Sequence, residues 1–442
     1  MFRKFSVILI LFMIQASYSK NIGAKVLNYE QLIQTALEHS PLLKAIDAKL
    51  NIMDSSTKLA NSYYFPTFEI KQRYLSTTNP VNAFGLKLTK KEFKMADFQN
   101  IDKLNSPNTE STHQTTLSVY IPINISGSIN ASKNIINNQS SALQFEKKWI
   151  GNEIKKNLYA LYYTNFNLFA MDDFLKKERK FLEKVANAYD IKSSENKNRY
   201  LSYNQARIIL ETINEGINSI KLERNKILES VRYLCGAENE DLELAKVLPR
   251  ELSWQNPNYN INNERIYSRY DLLATSKQMD AASATITKEE KNYWPNLGIL
   301  GEYNITTGKF DNYAKDRTLG VVLSWNFGMS IPSTVSLAKA NYILRKTELE
   351  SKKAEVLSDT KRLRDELEQL TYSITSMEKK HQFFEENKKI LDYQYRRGSV
   401  DLYNMLDNFT HYLQNYSQLQ TSKSTYRAKL AEYTINFQTE VQ

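Results

Sequence analysis

Two hydrophobic rhythms alternate along this chain. Leu363, Leu367, Leu370, Ile374, Met377, His381 and Phe384 recur at spacings of four and three. Ile154, Leu158, Leu161, Asn165, Leu168, Asp172 and Leu175 repeat that rhythm with two polar interruptions. A period near 3.5 residues marks helices packed in coiled-coil-like seams. Helix breakers are scarce in the same regions. No proline lies between Ile123 and Leu248 or between Ser333 and Gln442, and glycine occurs there only at 127, 151, 216, 236 and 398. Each stretch therefore predicts two very long helices joined by one turn. A helix of about sixty residues would be roughly 90 Å long at about 1.5 Å per residue.

The second rhythm has period two and precedes each long stretch. Phe68, Ile70 and Tyr74 alternate with Glu69, Lys71 and Arg73; Leu117, Val119, Ile121, Ile123 and Ile125 alternate with Thr116, Ser118, Tyr120 and Asn124. Later come Leu297, Ile299 and Tyr303, then Leu319, Val321, Leu323, Trp325 and Phe327. Such alternation over about ten residues suits a transmembrane β-strand. It equally suits a half-buried strand of a soluble sheet.

The two halves match. A shift of 229 positions places Leu43 on Leu272, Tyr64 on Tyr293, Pro66 on Pro295 and Ile70 on Ile299, and a shift of 202 places Leu117 on Leu319 and Val119 on Val321. This is an internal repeat of helix, strand, strand, long helix, turn, long helix. The expected organisation is a leader at 1–19, a first repeat at 20–248 with its hairpin at 67–125, a linker at 249–264, and a second repeat at 265–442 with its hairpin at 296–327. The first inter-strand loop, Thr77 to Thr112, is the longer one and carries Phe84, Phe93 and Phe98; it reads either as an ordered surface loop or as a segment that folds back or touches a neighbour.

Composition narrows the setting. Arg3 and Lys4, the apolar run Val7–Ile14 and the small residues Ser17 and Ser19 read as a secretory signal peptide. Its removal takes two positive charges, so +10 falls to +8. Basic and acidic residues are interspersed, as in Arg362-Leu363-Arg364-Asp365-Glu366, which suits solvated helix faces and argues against a nucleic-acid track. One cysteine, Cys235, provides no disulfide framework. No long apolar stretch follows the leader, so an exported chain of this kind is either periplasmic or a β-barrel.

The order of elements, and the residues that carry it, resemble the TolC family of outer-membrane efflux proteins across essentially the whole mature chain. Ala36-Leu37-Glu38-His39-Ser40-Pro41-Leu42-Leu43-Lys44-Ala45 is similar to the family's opening motif, and Arg269-Tyr270-Asp271-Leu272-Leu273-Ala274 to its second copy, with Tyr270 in place of the usual proline. Tyr64-Phe65-Pro66 and Tyr293-Trp294-Pro295 resemble the motif that opens each barrel hairpin. Tyr395-Arg396-Arg397-Gly398, with Leu402, Leu406 and Asp407, resembles the turn near the inner tip, although Asn404 replaces its first aspartate. The resemblance implies a mixed α and β membrane protein. Four transmembrane β-strands and long coiled-coil-like helices per protomer would form a homotrimeric, 12-stranded barrel continued by a periplasmic α-barrel.

It further implies a passive outer-membrane channel in a tripartite efflux or type I secretion system, partnered by a periplasmic adaptor, an inner-membrane pump and outer-membrane lipid. In the family the inner helical turns form a gate. By position Asp407 is the candidate for an acidic ring, Tyr395 and Arg397 for gate bonds, Gly398 for the turn and Asp401 for a helix cap. Asp407 on a solvated helix face is the plainer alternative. Tyr63, Tyr64, Tyr293 and Trp294 fall where an aromatic girdle is expected.

Enzymatic signatures are missing. The four histidines, His39, His113, His381 and His411, form no H-E-x-x-H pair, and there is no P-loop, nucleophile elbow or dinucleotide fingerprint. Asp407 and His411 are one helical turn apart, and an incidental surface pair explains them better than a metal site. No cofactor, metal or nucleic acid is expected. The competing reading is a soluble periplasmic coiled-coil adaptor.

Overall fold

The structure, a computed structural model, describes residues 25–187, 197–238, 241–247, 263–307, 313–397 and 401–437. The expected leader, most of the linker at 249–264 and Gly398 lie outside the described residues. In chain order the elements are β1 (Lys25–Leu27), α1 (Tyr29–His39), α2 (Pro41–Ser62), β2 (Thr67–Thr77), α3 (Pro80–Thr89), α4 (Met95–Gln99), α5 (Ile101–Asn105), β3 (Glu110–Ile123), α6 (Ser128–Asn187) and α7 (Lys197–Cys235). There follow β4 (Leu242–Leu244), α8 (Asn263–Tyr267), α9 (Tyr270–Glu290), β5 (Asn296–Thr307), β6 (Tyr313–Ser324), α10 (Ser330–Arg396) and α11 (Leu402–Phe437). α6 and α10 run for 60 and 67 residues, as the dearth of proline and glycine predicts. No described helix is long and apolar enough to cross a membrane.

Two compact units emerge, one comprising Met1–Asp47, Phe145–Leu272 and Lys352–Gln442, the other Ala48–Gln144 and Leu273–Ser351. In the first, β1 pairs in parallel with β4, a pairing that two three-residue strands do not announce in sequence. Leu27, Leu32 and Ala36 pack there against Leu158, Tyr162 and Val231. The buried Tyr162 hydroxyl donates to the carbonyls of Ala245 (2.9 Å) and Val247 (2.8 Å), which satisfies it inside that core. The opening helix is broken at Ser40: Asn28 caps α1 with a capping box, and Pro41 starts α2 at the position where its missing N–H costs nothing. Gly236 ends α7 at φ +62°, and the Ala237 amide reaches back to the Arg232 carbonyl at 2.9 Å. That is the Schellman geometry glycine favours.

The seam on α10 has the predicted spacing. Leu363 and Leu367 are buried, and Leu370, Ile374, Met377, His381 and Phe384 are half-buried at the same spacing, while most positions between them are exposed.

The second unit is organised by one antiparallel sheet in the order β2-β3-β5-β6. Strand β3 begins at Glu110, six residues before the alternation alone placed it, and β6 ends at Ser324, so Trp325 and Phe327 lie just beyond it. Register decides which residues share a face. Phe68 opposes Val119, which opposes Gly301, which opposes Leu319; Ile70, Leu117 and Tyr303 share the next row, and Ile121, Ile299 and Val321 another. The apolar positions of all four strands thus fall on one face. They are bare: Phe68, Ile70, Leu319 and Val321 are 77%, 76%, 84% and 70% exposed. Lys315 and Arg317 interrupt the face at one end of β6.

The opposite face is polar and cross-linked by side chains. Thr116 donates to Asn304 (2.6 Å), Asn304 to Asp316 (2.9 Å) and Arg73 to Gln114 (3.2 Å). On this face the Tyr120 ring lies across Gly298, where any Cβ would collide with it. Gly298→Val should lower the unfolding free energy by about 1–3 kcal/mol through overpacking, and Tyr120→Ala in the same chain should recover most of that. Thermal melting of the wild type, the two single variants and the double variant checks it; Gly298→Val as stable as the wild type would remove the steric account.

Candidate functional site

The residues singled out at the α10–α11 turn belong to one end of the helical unit, where four helices share a core. α6 supplies Leu182 and Val185, α7 supplies Ala206 and Ile209, and α11 supplies Leu406 and Phe409. Tyr395, on the last turn of α10, is half-buried against this core. Arg397 is exposed and sets its guanidinium 4.4 Å from the centre of the Tyr393 ring. The Asp401 carbonyl accepts the Met405 amide at 3.4 Å, which places Asp401 at the N-cap of α11. Asp407 is exposed, with its Oδ2 3.9 Å from Nε2 of His411. Leu402, Met405, Leu406 and Phe409 are buried, so Asp407 and His411 occupy the side of α11 turned from the core. Gly398 is outside the described residues.

A cluster that sequence reading passed over lies deeper in the same core. Glu178 of α6 is fully buried and accepts a hydrogen bond from the Lys388 ammonium of α10. That ammonium also lies 4.5, 5.5 and 5.1 Å from the ring centres of Phe181, Phe409 and Tyr412. A cation held by one carboxylate and three ring faces ties three helices together. Beside it the His381 ring stacks on Tyr412, with centroids 5.1 Å apart and planes at 11°. Phe174 stacks on Tyr416 at 3.8 Å. Burial pushes the His381 pKa below its ordinary value; Glu385 and Glu178 oppose that push and Lys423 adds to it. Burial likewise raises the Tyr412 phenol. The sequence did hold a signal, since Lys388 continues the seam of His381 and Phe384, and Glu178 lies between Leu175 and Leu182. A charge on an apolar stripe is the mark of a buried pair.

Nothing in this geometry assembles reactive chemistry. Among the described residues no three histidine, cysteine, aspartate or glutamate side chains come together as a metal site. The arrangement fixes helices and leaves Asp407 on the surface.

Lys388→Met should cost about 3–5 kcal/mol, because it strands the buried Glu178 carboxylate. The double variant with Glu178→Leu should be closer to wild type, as followed by the loss of helical circular dichroism on heating. Equal losses in single and double variants would refute the pair as the cause. For His381 the folded pKa lies below the unfolded one, so its neutral form stabilises the tip above about pH 6.5. That contribution disappears as pH falls through the folded value. His381→Phe should flatten the stability profile between about pH 7 and 5; an unchanged slope would show that other groups set it.

No family model and no curated protein matches the chain. Solved structures do. The outer-membrane channel CmeC of Campylobacter jejuni superposes with a TM-score of 0.75 at 14% identity, over 95% of this chain and 90% of that one. The open-state outer-membrane channel MtrE of Neisseria gonorrhoeae gives 0.76 at 14% identity, over 92% and 88%. The outer-membrane protein VceC of Vibrio cholerae gives 0.69 at 14% identity, over 93% and 97%. With agreement of that quality across nearly the whole length, this chain has the TolC-type outer-membrane channel fold.

Proposed function

We propose that the chain is one of three identical subunits of a passive outer-membrane duct, which works with a periplasmic adaptor and an inner-membrane pump in tripartite efflux or type I secretion. The observation that carries this reading is the four-stranded sheet with one bare apolar face and two unpaired edges. A protein in water seldom leaves so large an apolar face uncovered. In lipid that face is at home, but free strand edges are not, because hydrocarbon offers their amides and carbonyls no partner. Within the antiparallel order β2-β3-β5-β6, the first and last strands run in opposite directions. β6 of one copy can therefore pair antiparallel with β2 of the next. Four strands are too few to close alone, since even a small barrel needs about eight; three copies supply twelve.

The dimensions agree. Tyr74 and Tyr313 lie in one row at the hairpin-loop end of the apolar face. Tyr64, Phe65, Tyr293, Trp294 and Trp325 cluster, exposed, around the other end. From Leu297 to Thr307 is about 34 Å at roughly 3.4 Å per residue. A barrel tilt of about 40° reduces this to roughly 26 Å, the height of an outer-membrane apolar band. Lys315 and Arg317 fall within two rows of the outer aromatic row, where long basic side chains reach headgroups. The two halves, 20–248 and 265–442, are then tandem copies of one supersecondary unit. At the inner tip a threefold axis turns the exposed Asp407 into three carboxylates, an arrangement that attracts cations and repels anions.

The chain should stay with membranes through carbonate washing and be released by detergent as a three-chain species. Release by carbonate as a monomer would refute the duct and favour a soluble adaptor. In planar bilayers under a potassium chloride gradient, Asp407→Ala should lower the cation preference read from the reversal potential. An unchanged potential would return Asp407 to an ordinary solvated surface.

A further inference from the structure

The segment joining β2 to β3 is not a simple loop. It folds into α3, α4 and α5 and carries a buried ion cluster. The Lys90 side chain is fully buried, and its ammonium lies 2.8 Å from Glu110 and 3.2 Å from Glu92. Lys87 bonds Asp97 at 3.0 Å and approaches Glu110 at 3.7 Å. Burial opposes the Lys90 charge, but the bonds and attraction of Glu110 and Glu92 outweigh it, and its pKa is raised. Phe84 and Phe93 meet edge to face at 4.9 Å. A buried cation bound by two carboxylates belongs to an ordered structure.

Register says which side of the sheet this cap occupies. Glu110 pairs with Thr77 and alternates in step with Thr112, Gln114 and Thr116, so it belongs to the polar face. Lys90 therefore anchors the cap on that face. The hairpin-loop end of the same face is covered: Thr112, Thr306 and Ala314 are 3%, 1% and 3% exposed. Further along β6 the same face is open at Asp316 and Thr318.

We infer that the cap α3–α5 is an outer constriction of the pore, held over the polar face of the sheet by the Lys90–Glu110 pair. This rests on the duct reading above, in which the polar face lines the lumen. Three copies would then narrow the mouth of the barrel, and access from outside would depend on the ion cluster.

The test uses full-length protein in outer membranes, in a Cys235→Ser background, with a bulky membrane-impermeant maleimide added from outside. Ala314→Cys reports whether the cap covers the polar face, and Thr318→Cys whether that cover controls entry. Both should react slowly in the intact chain. Both should react about tenfold faster or more once cover is lost, by replacing residues 78–109 with Asn-Gly or by Lys90→Ala. An Ala314→Cys rate unaffected by either change overturns the proposal. So does a Thr318→Cys that reacts as fast with the cap as without it. A chain that carbonate strips from the membrane fails the duct reading itself, and is recognised before labelling begins.

Discussion

A strand edge facing hydrocarbon would leave each free amide and carbonyl several kcal/mol worse off than in water, and β2 and β6 are the outer strands of the sheet. The apolar face between them has the opposite preference. Phe68, Ile70, Leu319 and Val321 are largely exposed, yet each would gain from leaving water. One chain cannot satisfy both demands. Copies joined edge to edge can, because every free ladder group then finds a partner while the apolar face meets lipid. On the duct reading, trimerisation and membrane residence are a single requirement.

The helical unit solves a different problem. Its long helices have interrupted apolar seams, and the interruptions are charged or aromatic. Lys388 would be costly on a seam facing only leucine. Glu178 and three aromatic rings make it a junction of α6, α10 and α11. Such a junction is directional where an aliphatic seam is slippery, and it holds helices in register. The stacked His381, whose pKa its desolvation pushes down, belongs to the same packing. Asp407 stands apart on the outer side of α11, free to face whatever the assembly brings opposite it.

Both units place their buried charges near an end: Glu178 and Lys388 by the α10–α11 turn, Lys90 and Glu110 where the cap meets the sheet. In each case the pair joins elements that backbone hydrogen bonds do not connect.

Much of the architecture was legible in the residues alone. Side-chain direction is a local property of the backbone, so Phe68-x-Ile70 and Leu319-x-Val321 announced strands, and Leu363 through Phe384 announced a long seam. Scarce proline and glycine set the helix lengths, and the matching halves announced two hairpins. Tertiary structure alone decided that the apolar positions of all four strands coincide on one face, because coincidence depends on register and strand order, which alternation leaves free. It alone joined Glu178 to Lys388 across 210 positions, and folded the residues after Thr77 into a cap on the polar face. Those contacts rest on pairings remote in sequence, and no local pattern specifies which distant partner a buried charge will find.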